Sequence, residues 1–412
     1  MATNILQQVI TYNESNLALM LNSYALIATA NKKFMRFNDD EPKNLGDTVS
    51  FDKPPRFTFT ASLVVSFQAA EQRVQQLTVN TAASVAYEFT AQQFIFNVRD
   101  YMETFGKSAI AELGSKVESD VGKLFETNTF RYFGDGVTPI STYLQLATAL
   151  AFFRNFGAPK DNTKAYLSDL TYPAIVNTGL NQFALDRNNR MAMSWEVGNF
   201  SNCEWYQSNL LTTHQSGTVG DLALTLTVVS TTLNAAGQVI AITFSGANAS
   251  DVNAIKQYDK FQFLDIPGFT NLRYLTFIGH QLSQCPVQCR ITADAASTAG
   301  GQVTVNIFPP LQAASGNNQN INTAIVAGQQ VKVLPSHRCG AIMSGNPLFL
   351  AMPKLPEEVP YPTAVSTDPD SGASIRTYYG SLFGQNQRGM VHDIIHGETL
   401  VDEYALMVAL PL

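Results

Sequence analysis

The reading turns on residues 97–126, NVRDYMETFGKSAIAELGSKVESDVGKLFE. Met102, Phe105, Ala109, Leu113, Val117, Val121 and Leu124 recur there at steps of three and four, the period of one apolar helix stripe. On the other face Glu103 stands four before Lys107, and Glu112 four before Lys116, the favourable order for helical ion pairs. A helix over the whole stretch would run on the order of 40 Å at ~1.5 Å per residue. Gly106, Gly114 and Gly122 oppose it, each at roughly 1 kcal/mol relative to Ala. Three such penalties make sense if a neighbour packs closely where the glycines lie. The expectation is a long, half-exposed spine laid across a sheet and ended by Asn128 and the GDG at 134–136.

Working outward, the 412 residues are 45% hydrophobic, enough for sizeable cores and for two or three domains. Charged residues make up 14%, against about a quarter in ordinary globular chains. Such a chain either shows water a Ser/Thr/Asn/Gln-rich surface or covers much of itself with other subunits. The net charge of −7, with no Lys/Arg run longer than Lys32–Lys33, does not support wrapping by nucleic acid. The N-terminus lacks a basic region followed by an apolar core, so no signal peptide is expected. The greasiest stretch, Leu144 to Phe153, is too short to span a bilayer. Four cysteines, at 203, 285, 289 and 339, are too few for a disulfide scaffold.

Before the spine, Asn4 and Gln7 resemble a capping box, and Leu17, Met20, Leu21, Tyr24 and Ile27 continue at helical spacing. This arm, 1–45, either docks on its own domain or packs on a neighbouring subunit. From Gly46, Val49/Phe51 and Phe57/Phe59 alternate around two prolines, and a return strand from Val74 to Tyr87 alternates as Leu77/Val79 and Val85/Tyr87. An isolated hairpin is marginal in water, so this excursion over 46–80 should lie against something else. Lys53, Arg56, Phe57, Phe59 and Arg73 of the excursion, with Leu17 and Tyr24 of the arm, are the candidate intersubunit contacts.

After the spine, 141–156 reads as a helix with Leu144, Ala147, Leu150 and Ala151 on one face, and Thr171–Leu180 as another. Between 219 and 335 the texture is purely β. Short alternating runs such as QVIAITF, KFQFLDI and QVTVNIF suggest a barrel or sandwich inserted as a unit. Pro347–Met352 reads as a strand ahead of a Pro-rich loop, and Ala373–Tyr379, Met390–Ile395 and Glu403–Leu410 as strands of a sheet completed late in the chain.

Chemistry is sparse. His392 and His396 in HDIIH lack the Glu that a zinc-protease helix needs after its first His, and their isoleucines favour a strand that would hold them apart. Cys285 and Cys289 lack CxxC spacing, and His337 beside Cys339 has no identifiable third group. Asp186, Asp368 and Asp370 sit in loop-like contexts. Trp195, Trp205 and Tyr206 read either as core or as a stacking platform. No nucleophile elbow, phosphate loop or dinucleotide fingerprint occurs. No enzyme, metal or cofactor is expected.

In order and spacing the chain resembles the major capsid (coat) protein of tailed double-stranded-DNA bacteriophages, within it the short-tailed-phage group with an inserted β-domain. Gly46-Asp47-Thr48-Val49, Lys53-Pro54-Pro55-Arg56-Phe57 and Leu77-Thr78-Val79-Asn80 resemble that family's extended loop and return strand. The stretch 94–125 resembles its spine helix. Ala165-Tyr166-Leu167, Glu196-Val197-Gly198 and Tyr206-Gln207-Ser208-Asn209-Leu210 are similar to its approach to the insertion. Asn346 to Ala351, Gly372 to Arg376 and His392 to Gly397 are similar to its closing strands. The insertion matches in position and texture, not in residues.

The resemblance implies an α+β fold of five parts: an N-terminal arm (1–45), an extended loop hairpin (46–80), a peripheral domain with the spine (81–135 and 373–412), an axial domain (136–218 and 336–372) and the inserted β-domain (219–335). It implies self-assembly into pentamers and hexamers of an icosahedral shell in the host bacterial cytoplasm. The shell would enclose double-stranded DNA without reading its sequence, and would involve a separate scaffolding protein, a portal protein at one vertex and no membrane. With no partner for Lys53 assignable, a non-covalent shell is expected. A nanocompartment shell of the same fold would lack the β-insertion, and a β-rich adhesin or tail protein would have no use for the spine.

Overall fold

The computed structural model describes residues 13–21, 23–32, 46–53, 57, 73–90, 105–169, 171, 199–200, 202–276, 279–356, 363–369, 372–381 and 387–412. The architecture is α+β. The chain divides into two compact units: Met1–Asp52, Val74–Leu124 and Leu348–Leu400, and then Lys53–Arg73, Phe125–Pro347 and Val401–Leu412.

The spine is an α-helix over Lys107–Thr127. Ala109, Leu113, Val117, Val121 and Leu124 are buried as the periodicity requires, and Ile110 and Phe125 widen the stripe. Each such Val, Ile or Leu contributes roughly 1.5–3 kcal/mol on burial, more than each helix glycine costs. Phe105, expected on the stripe, is 47% exposed just ahead of the helix. Met102 and Glu103 lie outside the described residues. The ion pair of Lys116 is with Asp120, one turn onward, in place of the expected Glu112.

Gly114 explains itself. A Cβ there would overlap the ring of Tyr24, whose hydroxyl donates to the carbonyl of Ala111 at 2.5 Å. Leu17 (3% exposed), Met20, Leu26 and Ile27 are buried in the same unit, and residues 13–21 are helical. These arm residues therefore dock on their own unit. Glu118, a buried carboxylate on the spine, accepts from the amides of Leu26 (3.0 and 3.1 Å) and Ile27 (3.0 Å). It thus satisfies orphan donors at the start of the Ala25–Thr29 helix.

The sheet of this unit is antiparallel. Strand Gln387–Leu400 pairs through residues 387–396 with Thr81–Thr90, through 388–393 with Ser374–Ser381, and at its far end with Leu348–Ala351. Thr363–Thr367 completes it beyond Ser374–Ser381. The expected return strand from Val74 to Tyr87 is instead two strands, Arg73–Thr78 and Thr81–Thr90. They part at Val79 because the first pairs with Thr48–Lys53 and the second with the main sheet. Gly397 lets Val79 approach: a Cβ there would strike the carbonyl of Thr78.

The second unit holds a sheet in the order Tyr132–Phe133, Ala405–Leu410, His337–Met343, Lys164–Leu167, Cys203–Gln207 and Asn199–Phe200, with Thr213–His214 added beside His337. It also holds a closed six-stranded barrel in the order Val239–Ser245, Gln302–Leu311, Gln288–Ile291, Lys260–Phe263, Gln330–Val333 and Thr225–Leu233. Alternate residues fill it, among them Leu226, Val228, Ile242, Phe244, Phe261 and Val331. Arg273–Leu275 pairs outside the barrel, with Leu282–Pro286.

Two expectations are revised. The Tyr143–Asn155 helix buries Leu146, Ala149, Leu150 and Phe153, whereas Leu144 is 74% exposed and Ala151 also faces water. Both faces are apolar, so periodicity could not choose between them. Ala405–Leu410, expected in one late sheet with the strands near Ala373–Tyr379 and Met390–Ile395, pairs instead with His337–Met343 in the second unit, while Leu348–Ala351 pairs in the first. Of the helix expected over Thr171–Leu180, all but Thr171 lies outside the described residues.

The Gly114 notch yields a double-mutant test. Gly114→Ala should destabilise the protein by about 1–3 kcal/mol through overpacking. On a Tyr24→Ala background the same change should stabilise by up to about 1 kcal/mol, the intrinsic helix preference. Urea denaturation of the four proteins checks this, and an equal effect on both backgrounds would disprove the notch.

Candidate assembly site and buried charge clusters

The excursion expected over 46–80 is rooted in the ladder of Thr48–Lys53 with Arg73–Thr78. In the first unit Leu77, Val79, Ala351 and Ile395 form its apolar footing. Phe51 stacks on Phe349 with centroids 4.7 Å apart and planes at 14°. Thr48 and Thr78 share a hydroxyl hydrogen bond at 3.0 Å, and Gln75 donates to Thr399 at 2.9 Å.

In the second unit, Lys53 Nζ meets Asp402 Oδ1 at 2.6 Å and Arg73 pairs with Glu403. Both acidic residues are buried and belong to the Asp402–Tyr404 turn. Lys53 and Arg73, expected at an intersubunit contact, are each engaged within the chain. Phe57 is 52% exposed; Arg56 and Phe59 lie outside the described residues. Asp402 and Glu403 escaped the sequence reading because consecutive acids ahead of a strand look like an ordinary solvated turn.

A second cluster is buried beside the barrel. Both ring nitrogens of His214 face carboxylates at 2.7 Å, Nδ1 to Glu126 and Nε2 to Asp259. Carboxylates only accept, so both nitrogens donate and the ring is an imidazolium. Burial opposes that charge, but the hydrogen bonds to Asp259 and Glu126 outweigh it and hold His214 above its ordinary value. Asp259 also accepts from the amides of Gly217 (3.1 Å) and Lys256 (2.8 Å). Fully buried Lys260 donates to the carbonyl of Glu126 at 2.9 Å, and burial brings it down to about 8. His337, its ring centroid 5.4 Å from that of His214, is lowered to about 3, chiefly by burial and then by Lys260.

HDIIH lies within a single strand, as its isoleucines imply. The hydroxyl of Thr377 donates to Asn13 at 2.5 Å and faces His392 Nδ1 at 2.6 Å, while Tyr87 faces Nε2 at 3.3 Å. Burial lowers His392 to about 4, so the ring is neutral. His396 Nε2 faces Asp120 at 3.0 Å and Glu398 at 3.8 Å. Burial, then nearby Asp120, pushes Glu398 up to about 7. Among the described residues no group of three His, Cys, Asp or Glu side chains is arranged to hold a metal ion.

All four cysteines are free and buried. Burial raises Cys203 and Cys339 to about 12, so the pair His337–Cys339 is no activated thiol. Trp205, 7% exposed, is core, while Tyr206 stacks on Tyr166 at 5.4 Å. Trp195, Asp186 and Asp370 lie outside the described residues. Among the described residues no helix is long and apolar enough to cross a membrane.

No protein-family model and no curated protein matches the sequence. Among solved structures, the chain is similar to Mycobacterium phage Che8 at 8% identity and a TM-score of 0.45, covering 93% of this chain and 90% of that one. It is similar to the capsid structure of the cyanophage P-SCSP1u at 10% identity and a TM-score of 0.41, covering 89% and 84%. The acidic stable capsid structure of Helicobacter pylori bacteriophage KHP30 gives 9% identity and a TM-score of 0.41, covering 88% and 84%.

Two pH effects follow. Glu398 holds its proton more tightly folded than unfolded, so its contribution to stability falls as pH rises from about 4.5 to about 7. Glu398→Gln should therefore match wild type near pH 4.5 and exceed it by up to about 3 kcal/mol at pH 8, at ~1.4 kcal/mol per pH unit. Chemical denaturation at both values checks this; the same difference at each would refute it. His214 shows the same direction for a different reason, its partners favouring the charged ring: its contribution is full below about pH 6.5 and is lost as pH rises through its raised folded value. His214→Ala should cost about 3–5 kcal/mol at pH 6 by stranding two buried carboxylates, a deficit that thermal melts should show narrowing at alkaline pH.

Proposed function

We propose that this chain is the major capsid protein of a tailed double-stranded-DNA phage, a subunit that builds pentamers and hexamers of an icosahedral shell. The observation that carries the reading is the order of elements. A striped spine helix follows a hairpin root, a closed six-stranded barrel interrupts the second unit, and late strands complete both sheets. Low charge and an exposed Phe57 on the excursion suit a surface covered by copies of the same chain. The net charge of −7 suits a wall that encloses DNA without gripping it.

A scaffolding protein encoded separately would guide assembly in the host bacterial cytoplasm, and a portal protein would occupy one vertex. The shell is held non-covalently in this reading. The barrel disfavours a nanocompartment shell, and the spine with its docked arm disfavours a β-rich adhesin or tail protein.

Expression of the chain alone and with candidate scaffolding proteins, followed by size-exclusion chromatography and negative-stain microscopy, tests this. Closed shells tens of nanometres across are expected, and a small monodisperse oligomer under every condition would overturn the proposal. Deleting Pro54–Gln72 should leave a folded, soluble subunit that no longer assembles; wild-type-like shells from that deletion would remove the excursion from the interface.

A further inference from the structure

We propose that a cleft beside the barrel is a binding site for a neutral saccharide, an inference independent of the shell role above. The cleft is walled by the outlying strands Arg273–Leu275 and Leu282–Pro286 and by Phe269, Asn271 and Asn322. Its volume of about 640 Å³ falls within the roughly 300–1,000 Å³ usual for small-molecule sites. The frame is fixed from within. Asn322 Oδ1 accepts from the amide of Arg273 at 3.0 Å, and its Nδ2 donates to the carbonyl of Asn271 at 2.9 Å. The amide of Gln284 donates to Asn155 Oδ1 at 2.9 Å. Gly328, at φ +93°, makes room for the tip of the Phe269 ring, since a Cβ there would stand 2.8 Å from Cζ. An aromatic ring seated in this way loses little freedom when a ligand arrives.

The groups that line the cleft select the ligand. Among the described residues lining it, Arg273 is the one charged side chain, and Asp265 engages it through two bonds of 2.7 and 2.5 Å. With that charge neutralised, a phosphate or carboxylate finds no unpaired cation. Thr270, Asn271 and Gln284 are exposed, and their side chains have no partner among the described residues. One hydroxyl and two carboxamides supply both donors and acceptors, which a ligand rich in hydroxyls needs. Phe269 and Leu282, the latter 63% exposed, add apolar surface to the same cleft. A sugar ring carries both kinds of surface, hydroxyls around its rim and C–H groups on its faces. Its C–H groups would meet Phe269 and Leu282 while Asn271 and Gln284 bond its hydroxyls. A purely apolar ligand would strip water from those carboxamides and leave them unpaired, which is costly.

Saturation-transfer difference NMR on the full chain tests this, with the methyl glycosides of glucose, galactose, mannose and N-acetylglucosamine as probes. Transfer to the ring protons of at least one glycoside is expected, with a dissociation constant in the millimolar range. Asn271→Ala and Gln284→Ala should each weaken binding about threefold to tenfold, the worth of one hydrogen bond. Leu282→Ala should reduce transfer to the C–H protons. All three side chains are exposed, so the variants should fold, which circular dichroism establishes. No transfer to any glycoside, or transfer unchanged in all three variants, would overturn the site. Tighter binding of glucose 6-phosphate than of glucose would overturn the neutral class. Fluorescence of anilinonaphthalene sulfonate that Leu282→Ala abolishes, without glycoside binding, would mark an apolar patch and overturn the saccharide.

Discussion

In the second unit one imidazolium ties three elements together. His214 belongs to the edge of the seven-stranded sheet, Glu126 to the last turn of the spine helix, and Asp259 to the approach to a barrel strand. With Lys260 the cluster pairs two buried cations with two buried anions. The desolvation of such charges is expensive, and the loss of any partner leaves the others stranded. Apolar packing tolerates small slips between a barrel and a sheet, but two hydrogen bonds of 2.7 Å on opposite sides of one ring do not. Barrel, sheet and helix end are consequently set in one register.

The first unit uses a related device with a different partner. Glu118 turns its carboxylate on the amides of Leu26 and Ile27, while Gly114 opens a slot for Tyr24. Hydrophobic burial drives the arm onto the spine, and the polar contacts decide where it stops. Val79 and Gly397 do the same for the hairpin root, where backbone-to-backbone approach fixes the point at which the chain leaves one ladder for another. In each unit a polar or steric detail selects one arrangement from several that apolar packing alone would permit.

These features suit the proposed shell subunit, whose outward surfaces would meet copies of itself. The buried charges of His214 and Glu118 are satisfied locally, the cysteines are buried as protonated thiols, and the histidines of HDIIH make internal hydrogen bonds. The surface retains little charge and several large apolar side chains, Phe57 and Leu144 among them.

The sequence by itself determined the elements that carry a strong period. The spine's Ala109-to-Leu124 stripe, the alternating runs between 225 and 333, and the strand nature of HDIIH follow from side-chain spacing, because burial on one face imposes that spacing wherever the element lies. Only the tertiary structure decided which elements pair and which polar residues are buried. Leu348–Ala351 and Ala405–Leu410 look alike as apolar strands, yet they join different units, since a strand's pattern states which face is covered and not by whom. The Tyr143–Asn155 helix is apolar on two faces, so its buried side depended on its neighbours. His214, Glu126, Glu118, Asp402 and Glu403 are polar residues in unremarkable local contexts. Their roles come from partners tens to hundreds of positions away, and no local signal records a contact made at that distance along the chain.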